Sequence, residues 1–484
     1  MITFIISLCI LIGGYFIYGR VTEKIFGLNV SRRTPAYVKR DGVDYLPMKT
    51  WRVFMIQFLN IAGVGPVFGA IMGAKFGVSS YVWIVFGTLF AGAVHDYVSG
   101  MISLRMNGAS LPEIHGRYLG GFIKQFMRIF MVVLMILVGV VFVVAPANLL
   151  ADLTPDFLDA RFWIGAIIVY YLLATLLPID KIIGNLYPIF GFCILIMAVG
   201  ILVVIVANQP ELPELWHGVE NRHPQAATNP IFPMMFISIA CGAISGFHAT
   251  QSPLMARCLT NERYGRPVFF GAMVFEGIVA LIWATAATWF FFDTTDGKVF
   301  FESGTNAAVV VNTISQNWLG TVGAVLVVLG VIFAPITSGD TAFRSARLIV
   351  ADFLRLDQKP VIKRFLIAIP LFAVAGSVLF YSLHDKNGFE TIWRYFAWAN
   401  QTLSVFTLWA VTVYLTVKKK KYIITLVPAL FMTMVCSTFV FAQKEVFLGL
   451  DITLSYLLGS VVTLATLAAF FYWKRKRTKL IKSS

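Results

Sequence analysis

Long apolar runs recur from one end of this sequence to the other. Each run holds about 20 residues, the length at which a helix crosses the ~30 Å hydrocarbon core of a bilayer. Hydrophobic residues make up 58% of the 484 and charged residues only 13%, a balance typical of a lipid-embedded bundle. The sequence therefore predicts an all-α polytopic membrane protein with about 13 transmembrane helices. The runs lie near residues 2–18, 51–73, 79–103, 127–146, 161–177, 188–207, 231–255, 268–292, 317–343, 365–382, 391–416, 422–441 and 450–473.

The positive residues are distributed unevenly between the loops. With the N-terminus outside, 32 of the 39 Lys and Arg residues fall in the cytoplasmic segments and seven elsewhere, while the opposite loops are acidic. This asymmetry predicts an external N-terminus and a cytoplasmic C-terminus. The net charge of +15 is therefore a topology signal, and the basic residues 474–477 are expected to contact anionic lipid of the bilayer, with no nucleic acid as partner.

The segments between the apolar runs exclude a soluble functional domain. The longest of them, 19–50 and 208–230, are too short to build a hydrophobic core. A catalytic pair such as HExxH is absent, and the five cysteines show no metal-ligand spacing, so we expect them to pack as small apolar residues. The sequence predicts no enzyme and no cofactor, and function must be carried by the helices.

Glycine and proline interrupt two of the apolar runs near mid-membrane, at residues 60–66 and 241–248. Either break alone is explained by close helix packing through small residues. If the first helix is set aside, however, the two broken runs are the first and sixth of ten, which are matching positions in a LeuT-like five-plus-five inverted repeat. This predicts an N-terminal helix with a basic loop (1–50), a ten-helix core (51–416, with halves 51–207 and 231–416), and two further helices with a basic tail (417–484).

A paired break predicts a binding site, because unwound backbone persists in a membrane only where it lines a cavity or holds a ligand. Pro66 lies where the outer half-helix should begin, a position at which a proline costs the helix no hydrogen bond. The positive ends of half-helices favour a carboxylate, so we expect an anionic or zwitterionic solute. The candidate substrate-binding residues are Asn60, Gly63, Gly65, Pro66, Cys241, Gly242, Ser245, Gly246, His248, Asn400 and Gln401.

A second set of polar residues predicts ion coupling. Thr337 and Ser338 offer the hydroxyl oxygens that a small cation prefers, with Ala62 as a possible sodium partner, although such hydroxyls commonly bond to their own helix. Asp340 is costly at membrane depth and suggests an ion path, or else a salt bridge to Arg344 one turn later.

Asp96 and Glu276 also interrupt apolar sequence, and we expect them to take part in ion coupling. His248 can titrate near neutral pH, but it can equally be an interhelical hydrogen-bond partner.

These residues resemble the carbon starvation protein A (CstA) family. The resemblance rests on 61–66 (IAGVGP), 91–96 (AGAVHD), 107–111 (NGASL), 239–248 (IACGAISGFH), 276–277 (EG), 337–347 and 399–401 (ANQ), in order along the chain. It implies a bacterial inner-membrane transporter with the amino acid–polyamine–organocation fold, which takes up peptides in starvation or, in close relatives, pyruvate with protons. This chain is shorter than a typical member, mainly after the tenth core helix, and it departs from the family pattern at His95 and Gly339.

The coupling ion stays open at this point. The nearer relatives favour H+, whereas the spacing of Ala334, Thr337 and Ser338 resembles the cation-binding helix of sodium-coupled transporters. We favour a proton symporter. An ionisable carboxylate such as Asp340 is costly at this depth, and a sodium site could be built without one. A channel or a membrane nutrient sensor is the alternative class. A channel predicts charge rings or filter loops and a sensor predicts a soluble output domain, and the sequence shows neither.

Overall fold

The computed structural model describes residues 1–41, 45–174, 179–303, 307–356, 360–384, 388–444 and 447–483. Every regular element in them is helical. The last three positions of the predicted span 161–177 lie outside the described residues. The first ten helices are α1 Ile2–Phe26, α2 Pro35–Val38, α3 Thr50–Ile61, α4 Gly65–Ala74, α5 Ser79–Phe86, α6 Ala93–Arg105, α7 Leu111–Leu119, α8 Gly121–Leu153, α9 Ala160–Ala174 and α10 Ile179–Asn208. The second ten are α11 Phe236–Ser238, α12 Gly246–Ala256, α13 Ala272–Asp293, α14 Thr295–Ser303, α15 Ala307–Leu326, α16 Phe333–Leu354, α17 Val361–His384, α18 Gly388–Val417, α19 Ile423–Ala442 and α20 Ile452–Ser483.

The predicted membrane class is confirmed, while the number of helices that qualify as spans is lower than predicted. Nine helices of the described residues are long and apolar enough to cross a bilayer, or ten when the bent pair α3 and α4 counts as one span. The run near 161–177 gives the shorter apolar helix α9, and the run near 231–255 is divided between α11 and α12. The figure of thirteen therefore remains a prediction.

Both predicted breaks are present as interruptions of helical structure. The axes of α3 and α4 differ by 47° across residues 62–64. Residues 239–245 separate α11 from α12, with Gly242 at φ 89°, a left-handed conformation that glycine adopts without strain. Pro66 is the second residue of α4, so the half-helix begins one residue earlier than the proline.

Three π-helical segments each lead directly into a helix that carries predicted coupling residues. Gly87–Gly92 precedes α6, Arg266–Gly271 precedes α13, and Val327–Ile332 precedes α16. A π turn inserts an extra residue and so rotates everything that follows relative to a regular helix. These segments therefore set the direction in which Asp96, Glu276 and Ser338 point.

The helix α1 is fastened to the core near both of its ends. Backbone N–H groups of Ile2 and Thr3 donate to the Glu214 carboxylate at 2.8 and 2.7 Å.

At the other end of α1, Arg105 Nη2 donates to the Gly27 carbonyl at 2.6 Å and to Glu262 Oε2 at 2.7 Å. The Asn29 N–H donates to the same carboxylate. Residues 27–32 and 257–266 thus lie together at one face and the 208–230 loop lies at the other, an arrangement that agrees with the alternation of the predicted loops.

Candidate functional site

The two helix breaks pack directly against each other in the protein interior. A side-chain methyl at Gly65 would lie 2.6 Å from Cys241, and one at Gly242 would lie 3.6 Å from Pro66. Gly69 approaches the carbonyl oxygens of Ser238 and Cys241 in the same way. The breaks predicted from two distant parts of the sequence therefore form one continuous region of irregular backbone. The helix α13 packs against α3 and α4, and its Ala280 lies against Gly242 of the second break.

A charged cluster lies beside the second break. His248, in the first turn of α12, places Nδ1 at 2.9 Å from Asp96 Oδ2 on α6. His95 places its own Nδ1 at 2.7 Å from the other oxygen of Asp96. All three side chains have no solvent exposure. Because a carboxylate only accepts, each of these histidine nitrogens donates its N–H to Asp96.

Glu276 completes the cluster from α13. Its Oε1 accepts the backbone N–H of Gly242 at 3.2 Å, and its Oε2 lies 3.3 Å from His248 Nε2. With the Nδ1 proton of His248 directed to Asp96, Nε2 carries either a lone pair or a second proton. A lone pair facing a carboxylate oxygen is repulsive, so this contact needs a cation between the two atoms or bound to one of them.

Side chains from two other elements, the π segment Gly87–Gly92 and α18, satisfy backbone groups that the second break leaves free. Thr88 donates to the Gly242 carbonyl at 2.8 Å, and Asn400 Oδ1 accepts the Phe247 N–H at 2.7 Å and the Ser245 hydroxyl at 3.0 Å. Gln401 Nε2 donates to the Phe236 carbonyl at 3.0 Å. Asn400 and Gln401 of α18, predicted as substrate ligands, are thus engaged in holding the break open.

The glycines predicted to admit a ligand differ in what surrounds them. A methyl at Gly246 would lie 2.4 Å from the Asn400 carbonyl of α18, so this glycine allows close helix packing, the alternative interpretation of such breaks. A methyl at Gly63 would lie 3.7 Å from Phe142 and 3.8 Å from Ser338 Oγ, which is ordinary contact. Of these two, Gly63 is the position open to a neighbouring group.

Ser338 of α16 faces the first break, as the predicted cation site requires. Its hydroxyl is fully buried and makes no hydrogen bond with the described residues, and the same holds for Oδ1 of Asn60. Thr337 instead donates to the Ala334 carbonyl of its own helix at 2.7 Å. The structure therefore brings Ser338 beside Gly63 and leaves Thr337 engaged in its own helix.

Asp340 lies apart from the charged cluster and has a basic partner. Arg344 Nη2 is 3.4 Å from Asp340 Oδ2 and donates to the Ala174 carbonyl at 3.1 Å. This is the i,i+4 salt bridge that was one of the two sequence interpretations. Asp96 and Glu276, rather than Asp340, are the carboxylates that contact His248.

One residue at the site, Thr88, was not predicted, and its side chain is fully buried. Gln57 of α3 is also fully buried, and neither of its side-chain amide atoms makes a hydrogen bond with the described residues. Gln57 could have been found, since an amide inside an apolar run is the same signal that identified Asn400 and Gln401. Thr88 gives no such signal, because a threonine in a membrane helix normally bonds to its own backbone.

One protein family matches nearly the whole chain. The family model for "Carbon starvation protein CstA" matches residues 1–157, 153–318 and 291–439. The chain is 28% identical over 518 residues to the peptide transporter CstA of Bacillus subtilis, covering 87% of this chain and 86% of that protein. It is 28% identical over 337 residues to the pyruvate/proton symporter BtsT of Escherichia coli, covering 55% of this chain and 46% of that protein.

A solved structure supplies an independent likeness of fold. A manganese transporter of Eremococcus coleocola, crystallised with an aromatic bis-isothiourea substituted compound, superposes with a TM-score of 0.52 over 93% of this chain and 98% of the other. The two sequences are only 12% identical, so the likeness concerns the arrangement of helices and not the ligand. The resemblance seen in the sequence motifs is confirmed by the family model and the relatives.

Proposed function

Because the chain belongs to the carbon starvation protein CstA family, we propose that it is a secondary active transporter that imports peptides or a small carboxylate such as pyruvate by proton symport, in nutrient starvation. Family membership and the apolar helices make it a multi-pass membrane protein of a transporter family, and not an enzyme. The substrate, the coupling ion and the bacterial cytoplasmic membrane as its location are our proposal.

The observation that carries this proposal is the contact between the two helix breaks beside a buried His–carboxylate cluster. Alternating access needs a substrate site that is reachable from either side in turn, and matched broken helices are where transporters build it. The first turns of α4 and α12 both start at this region, and helix N-termini attract carboxylates. Peptides and pyruvate each bring one carboxylate, so the geometry supports both substrates.

Proton coupling is supported by the composition of the cluster. Asp96 and Glu276 contact the two nitrogens of the single His248 ring, and the Nε2 contact needs a positive charge. A proton taken up with substrate supplies that charge, and its release returns Glu276 and His248 to mutual repulsion. The cluster also touches the second break through Gly242, so protonation is coupled to the backbone that would hold substrate.

Sodium coupling is a second candidate, because Ser338 offers to the first break a buried hydroxyl that no described residue bonds. A small cation there would gain that oxygen together with carbonyls of residues 60–64. The cluster at His248 would then be structural. The two candidates differ in which side chains the driving ion needs.

The test is uptake into proteoliposomes with a proton gradient or a sodium gradient imposed alone. Labelled pyruvate and di- and tripeptides are supplied separately to wild type and to Asp96→Asn, Glu276→Gln and Ser338→Ala variants. We expect proton-driven uptake that saturates, falls at least tenfold in the first two variants, and persists in Ser338→Ala. Asp340→Asn is the matched control, since its carboxylate is paired with Arg344 away from the cluster.

Two results contradict the proposal. Uptake by wild type under a sodium gradient alone but not under a proton gradient alone, with loss of that uptake in Ser338→Ala, would assign sodium as the driving ion. Flux that does not saturate and needs no gradient in wild type would favour a channel.

A further inference from the structure

Three different ligand types converge where His248 meets Glu276. Cys241, His248 and Glu276 each offer one ligand atom, and these atoms all lie within 4.8 Å of one another, with all three residues buried. Cys241 precedes α12 within the second break, His248 follows in the first turn of that helix, and Glu276 comes from α13. The sequence does not indicate this set, because its members are 7 and 28 positions apart and lack any metal-ligand spacing.

Two of the three candidate ligand atoms make no hydrogen bond to any described residue outside the set. His248 Nε2 and Glu276 Oε2 are buried and make no hydrogen bond there, although they lie 3.3 Å apart. The outer atoms of the same side chains are occupied, Nδ1 by Asp96 and Oε1 by the Gly242 N–H. Buried polar atoms left in this way mark a place for a ligand or an ion.

We propose that Cys241, His248 and Glu276 form a binding site for a divalent zinc-like ion. Thiolate, imidazole and carboxylate are the ligands that Zn2+ takes, with three from the protein and a fourth position open. Binding transfers the proton of the Cys241 thiol to solvent, since the thiolate is the ligand. Asp96 holds the His248 N–H and thereby directs Nε2 to the metal, the usual arrangement around a metal-bound histidine.

Occupancy of this site has a mechanical consequence. The ion would join the second break and the first turn of α12 to α13, because its ligands come from all three. The break could then no longer change shape, so Zn2+ inhibits transport. The binding site stands independently of the proposed function, whereas the inhibition rests on it.

Binding is tested on the purified, metal-stripped protein in detergent, with no substrate or gradient. Co2+ serves as the probe, because its thiolate complexes absorb in the near ultraviolet. We expect one equivalent of Co2+ to give this band and Zn2+, but not Mg2+, to displace it. Cys241→Ser and His248→Gln should lose the band, Asp96→Asn should weaken binding ~10–100-fold, and Cys436→Ser, another buried free cysteine, should keep it.

Absence of the band in wild type, or an equal band in Cys241→Ser, overturns the proposal. Inhibition is read separately, as the ratio of uptake with and without Zn2+ before and after a chelator, in wild type and Cys436→Ser. A protein that binds Co2+ as expected but transports none of the test substrates leaves the metal site standing and removes the proposed function. Uptake that is unaffected by saturating Zn2+ removes the inhibitory role.

Discussion

At the scale of single residues, the glycines of the two breaks differ in how much room a side chain would have. Gly63 and Gly65 are only two positions apart. A methyl at Gly65 would overlap Cys241, whereas a methyl at Gly63 would make an ordinary van der Waals contact with Ser338. Sequence alone treats them as equivalent glycines. The structure separates a glycine needed for packing from one that borders the candidate site.

We predict opposite outcomes for alanine at these two positions. Gly65→Ala should lower the free energy of unfolding by ~1–3 kcal/mol, because its methyl overlaps Cys241. Gly63→Ala should cost less than ~1 kcal/mol, since its methyl meets ordinary contacts, and it should still reduce uptake by crowding the first break. Thermal unfolding in detergent and uptake, measured on the same preparations, check both.

A double variant sharpens this prediction. Cys241→Gly removes both atoms that a Gly65 methyl would meet, so Gly65→Ala should destabilise the Cys241→Gly background less than it destabilises wild type. An equal loss in both backgrounds would show that the strain at Gly65 arises elsewhere.

At the scale of elements, helix ends and loops carry buried charge where one element is tied to another. Glu262 has no solvent exposure and contacts Arg105 and Arg32, at 2.7 and 3.3 Å. Glu23 and Arg266 form a more exposed pair at 3.2 Å in the same part of the molecule. The two pairs therefore test burial with the same chemistry.

We predict that Glu262→Gln costs ~3–5 kcal/mol of stability, because the change leaves Arg105 without its buried counter-charge. Glu23→Gln, the matched control, should cost about 0–1 kcal/mol. The midpoints of thermal unfolding of the two variants in one detergent make the comparison. Equal midpoints would mean that the Glu262 network adds nothing beyond a surface ion pair.

The contact between Glu214 and α1 predicts a pH dependence. Burial would raise the pKa of Glu214, but hydrogen bonds from the terminal amine and from Thr3 and Ile2 lower it to about 2. A pKa depressed in the folded state gives stability that is present above the ordinary value of 4.5 and lost as the pH falls towards 2. The protection factor for amide hydrogen exchange at the first turn of α1, which corrects for the pH dependence of intrinsic exchange, should stay constant from pH 7 to 5 and fall as the pH drops from 4.5 towards 2. Glu214→Gln should exchange faster from pH 7 to 5, and identical exchange in the variant would contradict the tether.

The sequence predicted elements better than it predicted their contacts. Glycine together with proline or serine identifies both breaks, because these residues are poor helix formers and glycine alone adopts the left-handed backbone of Gly242 without strain. The cluster could not be predicted, since Asp96 and His248 are 152 positions apart and the π segments that orient Asp96 and Glu276 have no sequence signature. Asn400 and Gln401 were recognised as important, but whether such an amide holds backbone or substrate depends on distances.

At the scale of the whole molecule, the distribution of charge predicts which face is cytoplasmic. The structure places the ends of α1 at opposite faces, through Glu214 and through Arg105 with Glu262. The loop at 418–421 is basic, and the connection after α13, which contains α14, carries Asp293, Asp296 and Glu302. The positive-inside rule assigns the first loop to the cytoplasm and the second to the outside.

We predict that cysteines introduced at these two loops label from opposite sides of the membrane. Lys421→Cys and Asp296→Cys place the thiols at exposed positions, in a background where the exposed Cys9 is replaced by serine. A membrane-impermeant maleimide applied to intact cells should label Asp296→Cys only, and lysis should expose Lys421→Cys. Labelling of both from one side would show that the number of spans between them is wrong.

The two attachments of α1 set a geometric condition on any large motion. A helix of 25 residues has a fixed length, and this one is bonded to the 208–230 loop at one face and to α6 and the 257–266 loop at the other. Either face can therefore separate from its end of α1 only if the bonds at that end break. The N-terminal helix, which the repeat pattern treats as an addition to the core, is thus a rigid tie between the two faces.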